Sequence, residues 1–190
     1  ILACSILSAC TEMPDETGLI INNVTVVDAV SPIRTERSVV IRDDKIFAVN
    51  PALQGRAANT SNVIDGSGQF LIPGLWDMHV HFLYEPRLTE QMADLFLRYG
   101  VTSVRDTGGN LAKLVALREQ LTARARPSPQ IYFSGPLLDG KFVVYDGSDP
   151  ARPALGVDVP NENTAHARVK QLKDAGADLI KIYELVQPDV

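Results

Sequence analysis

Cysteine and histidine are both scarce in these 190 residues, with two of the first and three of the second. Cys4 and Cys10 lie within the first ten positions, so nothing later in this sequence forms a disulfide or a thiolate metal site. Any metal chemistry here must therefore use histidine, lysine and carboxylates. Basic residues are not clustered and the formal net charge is −5, which argues against a surface that tracks a phosphate backbone. No nucleic-acid partner is expected. No apolar run is long enough to span a bilayer. The composition is that of a chain able to bury a core: 45% hydrophobic and 22% charged, with mean hydropathy of +0.02.

Ile1 to Cys10 reads as the back half of an apolar signal segment without its basic start. Leu7-Ser8-Ala9-Cys10 resembles the bacterial lipobox, in which the cysteine is acylated. A polar, acidic stretch from Thr11 to Thr17 suits a short tether. The expectation is export to the cell envelope, either periplasmic or anchored to the membrane as a lipoprotein through Cys10. A plain cleaved signal peptide or a buried apolar strand are the alternatives for this segment.

Residues 18–69 have a β pattern. Leu19-Ile20-Ile21 and Val24-Thr25-Val26-Val27 are rich in β-branched residues and separated by Asn22-Asn23. Ser38 to Arg42 and Lys45 to Val49 flank Asp43-Asp44, a two-residue hairpin turn. From Phe70 onward strands alternate with helices. Trp76 to Phe82, Val101 to Val104, Ile131 to Phe133 and Leu179 to Tyr183 read as four strands. Three helical stripes lie between them, with stops predicted at Gly100 and Gly176 and a cap at Asn110. Residues 135–160 read as a loop. The alternation predicts an α/β fold with a parallel sheet covered by helices.

His79-Val80-His81 carries the sharpest chemical signal. Residues two apart on a strand point the same way, about 6–7 Å apart, so two imidazoles can share one divalent ion. By itself the pair is also compatible with two ordinary histidines at a polar strand end. The longer run Ile64 to His81, with Pro73-Gly74-Leu75-Trp76-Asp77-Met78-His79-Val80-His81 at its end, resembles the amidohydrolase superfamily. There a small β-sandwich segment leads through Pro-Gly into the first strand of a (β/α)8 TIM barrel. The resemblance implies that His79 and His81 are metal ligands; Asp77 matches the motif as a position only and is expected to be a structural carboxylate that supports a ligand, with a substrate contact as the alternative.

Gly176-Ala177-Asp178-Leu179-Ile180-Lys181 resembles the branch that includes imidazolonepropionases and Xaa-Pro dipeptidases. The resemblance implies that Lys181 is carboxylated by carbon dioxide and bridges two divalent metals, expected to be zinc. A lysine that salt-bridges or reaches solvent is the alternative. Gly100 to Gly109 also resembles this branch, and its Arg105 and Asp106 stand at a strand end, either as an ion pair or as substrate contacts. His166 falls in the first turn of a helix and is expected to face solvent.

From Pro73 to Val190 the chain holds about half of a ~250-residue barrel, four strands where eight are needed. In the family, two further histidines and a general-base aspartate come from strands five, six and eight, which would follow Val190. The expectation is thus an N-terminal part of a metal-dependent hydrolase that cleaves C–N bonds of a small amide, cyclic amide or dipeptide, inactive by itself. A phosphotriester or lactone hydrolase on the same site, or a non-catalytic envelope binding protein, remain open, as does oligomeric state.

Overall fold

The computed structural model describes residues 18–53, 62–188 and 190. The expected lipobox, Cys10 and the tether lie outside these. The chain divides into two compact units, Ile1–Pro73 and Gly74–Val190.

The first unit is a mixed sheet, and among the described residues it stands for the expected sandwich segment. Strand β1 (Leu19–Val26) pairs antiparallel with β2 (Arg34–Arg42), which pairs antiparallel with β3 (Lys45–Pro51). Short strands β4 (Val63–Asp65) and β5 (Phe70–Leu71) lie parallel to β1. Asp43 and Asp44 form the β2–β3 turn with φ of 48° and 58°, the doubly left-handed geometry that matches strand twist.

Two expectations change here. Leu19–Ile21 and Val24–Val27 are not separate strands, because Asn23 takes φ 56° and forms a bulge inside one strand. The side chain of Asn22 satisfies both the N–H and the C=O of Leu53, so the polar pair is built into the sheet. Phe70–Leu71, expected to open the second segment, instead pairs with β1.

The second unit starts with a parallel sheet ordered β6 (Leu75–Val80), β7 (Val101–Asp106), β8 (Gln130–Phe133). Helix α1 (Thr89–Arg98) connects the first two strands and α2 (Leu111–Ala123) the next. Gly100 and Gly176 adopt φ of 80° and 78° where the helices before them end, as predicted. The Asn110 side chain caps α2 by accepting the Lys113 N–H at 3.1 Å. Val80, Phe82, Val104, Ile131 and Phe133 bury one face of the sheet against Leu114, Leu117 and Leu121 of α2. Each such side chain contributes about 1.5–3 kcal/mol on burial.

The stretch 135–160, expected as loop, contains β9 (Leu137–Asp139) and β10 (Gly156–Asp158), paired in parallel, before helix α3 (Glu162–Asp174). Three-residue strands show no periodicity, so the pattern could not announce them. The expected strand Leu179–Tyr183 is extended chain joined to β9 by one parallel bridge, Leu138 to Ile182. Its neighbours β8 and β9 are interrupted by Gly135 (φ 74°) and Pro136, which breaks the continuous ladder a full strand would need. The architecture is a partial (β/α)8 barrel.

Candidate metal centre

Strand β6 delivers the two histidines, but not as a flat strand. Asp77 pairs with Val104 and Val80 with Asp106, so β6 carries one extra residue over this interval. The bulge re-aims His79. Two neighbours hold it: Asp77 Oδ1 accepts the His79 N–H at 3.1 Å, and Arg105 Nε donates to the Met78 carbonyl at 2.7 Å. The imidazole centroids end 5.2 Å apart, inclined at 72°.

His81 is oriented by its own hydrogen bond. Its Nδ1 lies 3.0 Å from the Gly108 carbonyl, which can only accept, so Nδ1 carries a proton and, in the neutral ring, Nε2 keeps the lone pair. Desolvation, with the basic groups of His81, Lys181 and Arg105 nearby, lowers the pKa of His79 and favours its neutral form. A neutral imidazole is the form that binds metal.

Lys181 reaches the same place from the far end of the chain. The Lys181 carbonyl accepts the Leu138 N–H at 2.8 Å, which docks this segment on β9. His79, His81 and Lys181 line one cavity of about 180 Å³, walled by Tyr84, Tyr145 and Tyr183 with Leu137 and Leu155. The three residues are thus brought together across a separation of about a hundred positions.

Arg105 and Asp106 do not pair with each other. Successive strand residues face opposite sides: Arg105 supports the Met78 carbonyl, while Asp106, fully buried, accepts the N–H groups of Phe82 and Gly108. Burial pushes the Asp106 carboxyl up, against the pull of those two N–H groups and of His81. His166 is exposed, 4.0 Å from Glu162 on the same helix, and takes no part in the cavity.

Four residues of the site region were missed in the sequence: the three tyrosines and Asp139. Asp139, also fully buried, accepts the N–H groups of Gly140, Val144 and Leu185, which ties the loop before Tyr145 to the turn after Tyr183. An Asp-Gly pair after an apolar run was the available signal, and it reads equally as an ordinary turn.

No family model matches the chain. An adenine deaminase of Desulforamulus reducens is 33% identical over 127 residues, covering 64% of this chain and 21% of that protein. An imidazolonepropionase of Idiomarina loihiensis is 23% identical over 139 residues, covering 73% of this chain and 33% of that protein. The solved structure of a Xaa-Pro dipeptidase with bound methionine superposes with a TM-score of 0.70 at 24% identity, over 87% of this chain and 46% of that one. The chain is similar in sequence and in fold to proteins of the amidohydrolase superfamily. The chain spans about a fifth to a third of the length of these curated relatives.

Among the described residues, no three His, Cys, Asp or Glu side chains converge to hold a cation. The donor set that fits a divalent ion includes lysine. Two neutral imidazoles suit zinc and its neighbours, one of them already fixed through its second nitrogen by a backbone carbonyl. Lys181 lines the same cavity.

Proposed function

We propose that the protein is a metal-dependent hydrolase of carbon–nitrogen bonds in small amides, cyclic amides or dipeptides. The observation that carries this reading is that His79, His81 and Lys181 line one cavity beside the C-terminal end of β6. Barrel enzymes assemble their sites on that face. The relatives named above support it, since deaminases, imidazolonepropionases and dipeptidases cleave C–N bonds.

His79 and His81 would hold one divalent cation through neutral ring nitrogens. Lys181, after its ammonium loses a proton to solvent, would bond its Nζ to the carbon of carbon dioxide and release a second proton to solvent, giving a carbamate whose two oxygens suit two cations. When bound, such cations supply Lewis acidity and make water a competent nucleophile near neutral pH. The Gly108 carbonyl keeps His81 turned toward the cavity, and Tyr84, Tyr145 and Tyr183 line its walls. No carboxylate lines the cavity among the described residues, and in this proposal the proton acceptor is a group outside them. The 190-residue segment alone is therefore expected to be inactive. Export, with Cys10 acylated, belongs to the same proposal.

The test is a panel of dipeptides and cyclic amides offered to the full-length protein, with a phosphotriester and a lactone as comparators. Hydrolysis of an amide that stops with a chelator, returns with zinc and is absent in His79→Ala/His81→Ala is the expected result. Turnover indifferent to both chelator and variant overturns the metal reading. Turnover of the comparators alone replaces the substrate class.

A further inference from the structure

The backbone on both sides of the His81 ring converges on a side chain that the proposed chemistry does not use. Asp106 ends β7 and has no exposed surface. Its Oδ2 accepts the N–H of Phe82 at 2.8 Å, and its Oδ1 accepts the N–H of Gly108 at 3.0 Å. Phe82 is the residue after His81. Gly108 is the residue whose carbonyl receives the His81 Nδ1–H at 3.0 Å. One carboxylate thus fixes both the peptide that follows His81 and the residue that orients its ring.

The contact is close as well as polar. A Cβ at Gly108 would lie 3.1 Å from His81 Cε1 and 2.9 Å from Leu137 Cδ2, so the ring packs directly on the glycine backbone. A small rotation of residue 108 would carry the carbonyl away from Nδ1. Only a carboxylate offers an acceptor to each N–H; an asparagine in its place would turn a donor toward one of them.

We propose that Asp106 is a positioning residue that fixes the orientation and the Nδ1–H tautomer of His81, leaving its Nε2 lone pair for the cavity. It acts through two backbone amides and touches neither metal nor substrate. The link to metal affinity rests on the function proposed above, whereas the tautomer does not, so the two can fail separately.

The test uses nitrogen-15 NMR of the histidine rings in the metal-free protein, above the pH range where imidazole titrates, beside zinc titration. In the wild type, His81 is expected to be protonated at Nδ1 alone. In Asp106→Asn, His81 is expected to populate both tautomers, and zinc affinity to fall about tenfold, with the His79 tautomer unchanged as the control. A second variant replaces the Phe82 amide by an ester, which removes one arm of the clamp and leaves every side chain in place. It is expected to shift His81 in the same direction by a smaller amount, and it alone decides if Asp106→Asn does not fold. His81 protonated at Nε2 in the wild type overturns the proposal, as does a single Nδ1–H form with unchanged zinc affinity in the deciding variant. A tautomer shift in a protein that binds no zinc upholds the role of Asp106 and overturns the metal reading instead.

Discussion

Asp139→Ala is expected to destabilise the second unit by about 3 kcal/mol, a figure that follows from three hydrogen bonds to a buried charge. The carboxylate has no exposed surface and accepts N–H groups of Gly140, Val144 and Leu185, each at 2.9 Å. Bonds to a charged acceptor contribute about 1.5–3 kcal/mol each, so the gross loss is about 5–9 kcal/mol. Two effects reduce it. Leu185 is 40% exposed and Val144 only partly buried, so water can replace those acceptors. Removing a buried charge also returns its desolvation cost. Asp139→Asn should cost roughly half as much, about 1.5 kcal/mol, because one oxygen already serves Gly140 and Leu185 and only Val144 would face an amide donor. The assay is urea unfolding followed by fluorescence of Trp76. It is the only tryptophan in the sequence, lies in the second unit and stacks on Tyr132 with ring centroids 5.0 Å apart. Losses below about 0.5 kcal/mol for both variants at an unchanged urea slope would refute the reasoning.

The β2–β3 turn offers a test of opposite sign: Asp44→Gly relieves a left-handed residue at φ 58° and should gain about 0.5 kcal/mol after the entropy of glycine is set against it. Asp44→Val should lose stability, and equal unfolding midpoints for the two would contradict the turn geometry. Glu85 is held down to about 2 by hydrogen bonds from Arg87, against an ordinary 4.5. A depressed carboxyl stabilises the fold above its unfolded value, and this contribution is lost as pH falls from 4.5 through about 2. A carboxyl titration by NMR with a midpoint above 4, or an unchanged midpoint in Arg87→Ala, would contradict it. Gly140→Ala should be severely destabilising, because its Cβ would come within 1.7 Å of the Leu185 carbonyl oxygen. A variant as stable as wild type would show that the Gly140 and Leu185 backbones are free to separate.

Where local chemistry decides the structure, the sequence announced it. Asp43-Asp44 reads as a hairpin because few other pairs tolerate two left-handed residues, and Gly100 and Gly176 mark helix ends for the same reason. His79 and His81 stood out because their spacing fits a strand, although the bulge that sets their final geometry depends on Asp77, Arg105 and the register of β7. What stayed hidden is tertiary. Asn22-Asn23 looked like a boundary because the acceptor and donor that Asn22 satisfies, both on Leu53, lie 31 residues away. Asp106 and Asp139 gave no sign that their partners would be backbone N–H groups of neighbouring loops, a choice fixed only when the strands align. Tyr84, Tyr145 and Tyr183 share no periodicity and meet only because separate segments end at one cavity.

The most direct measurement is the metal content of the full-length protein, reconstituted with zinc and bicarbonate and analysed by elemental mass spectrometry beside His79→Ala/His81→Ala. About two zinc ions per wild-type chain, lost in the double variant, is the predicted result. A wild type that retains no metal, or a double variant that retains as much as the wild type, would contradict the assignment of His79 and His81 as ligands.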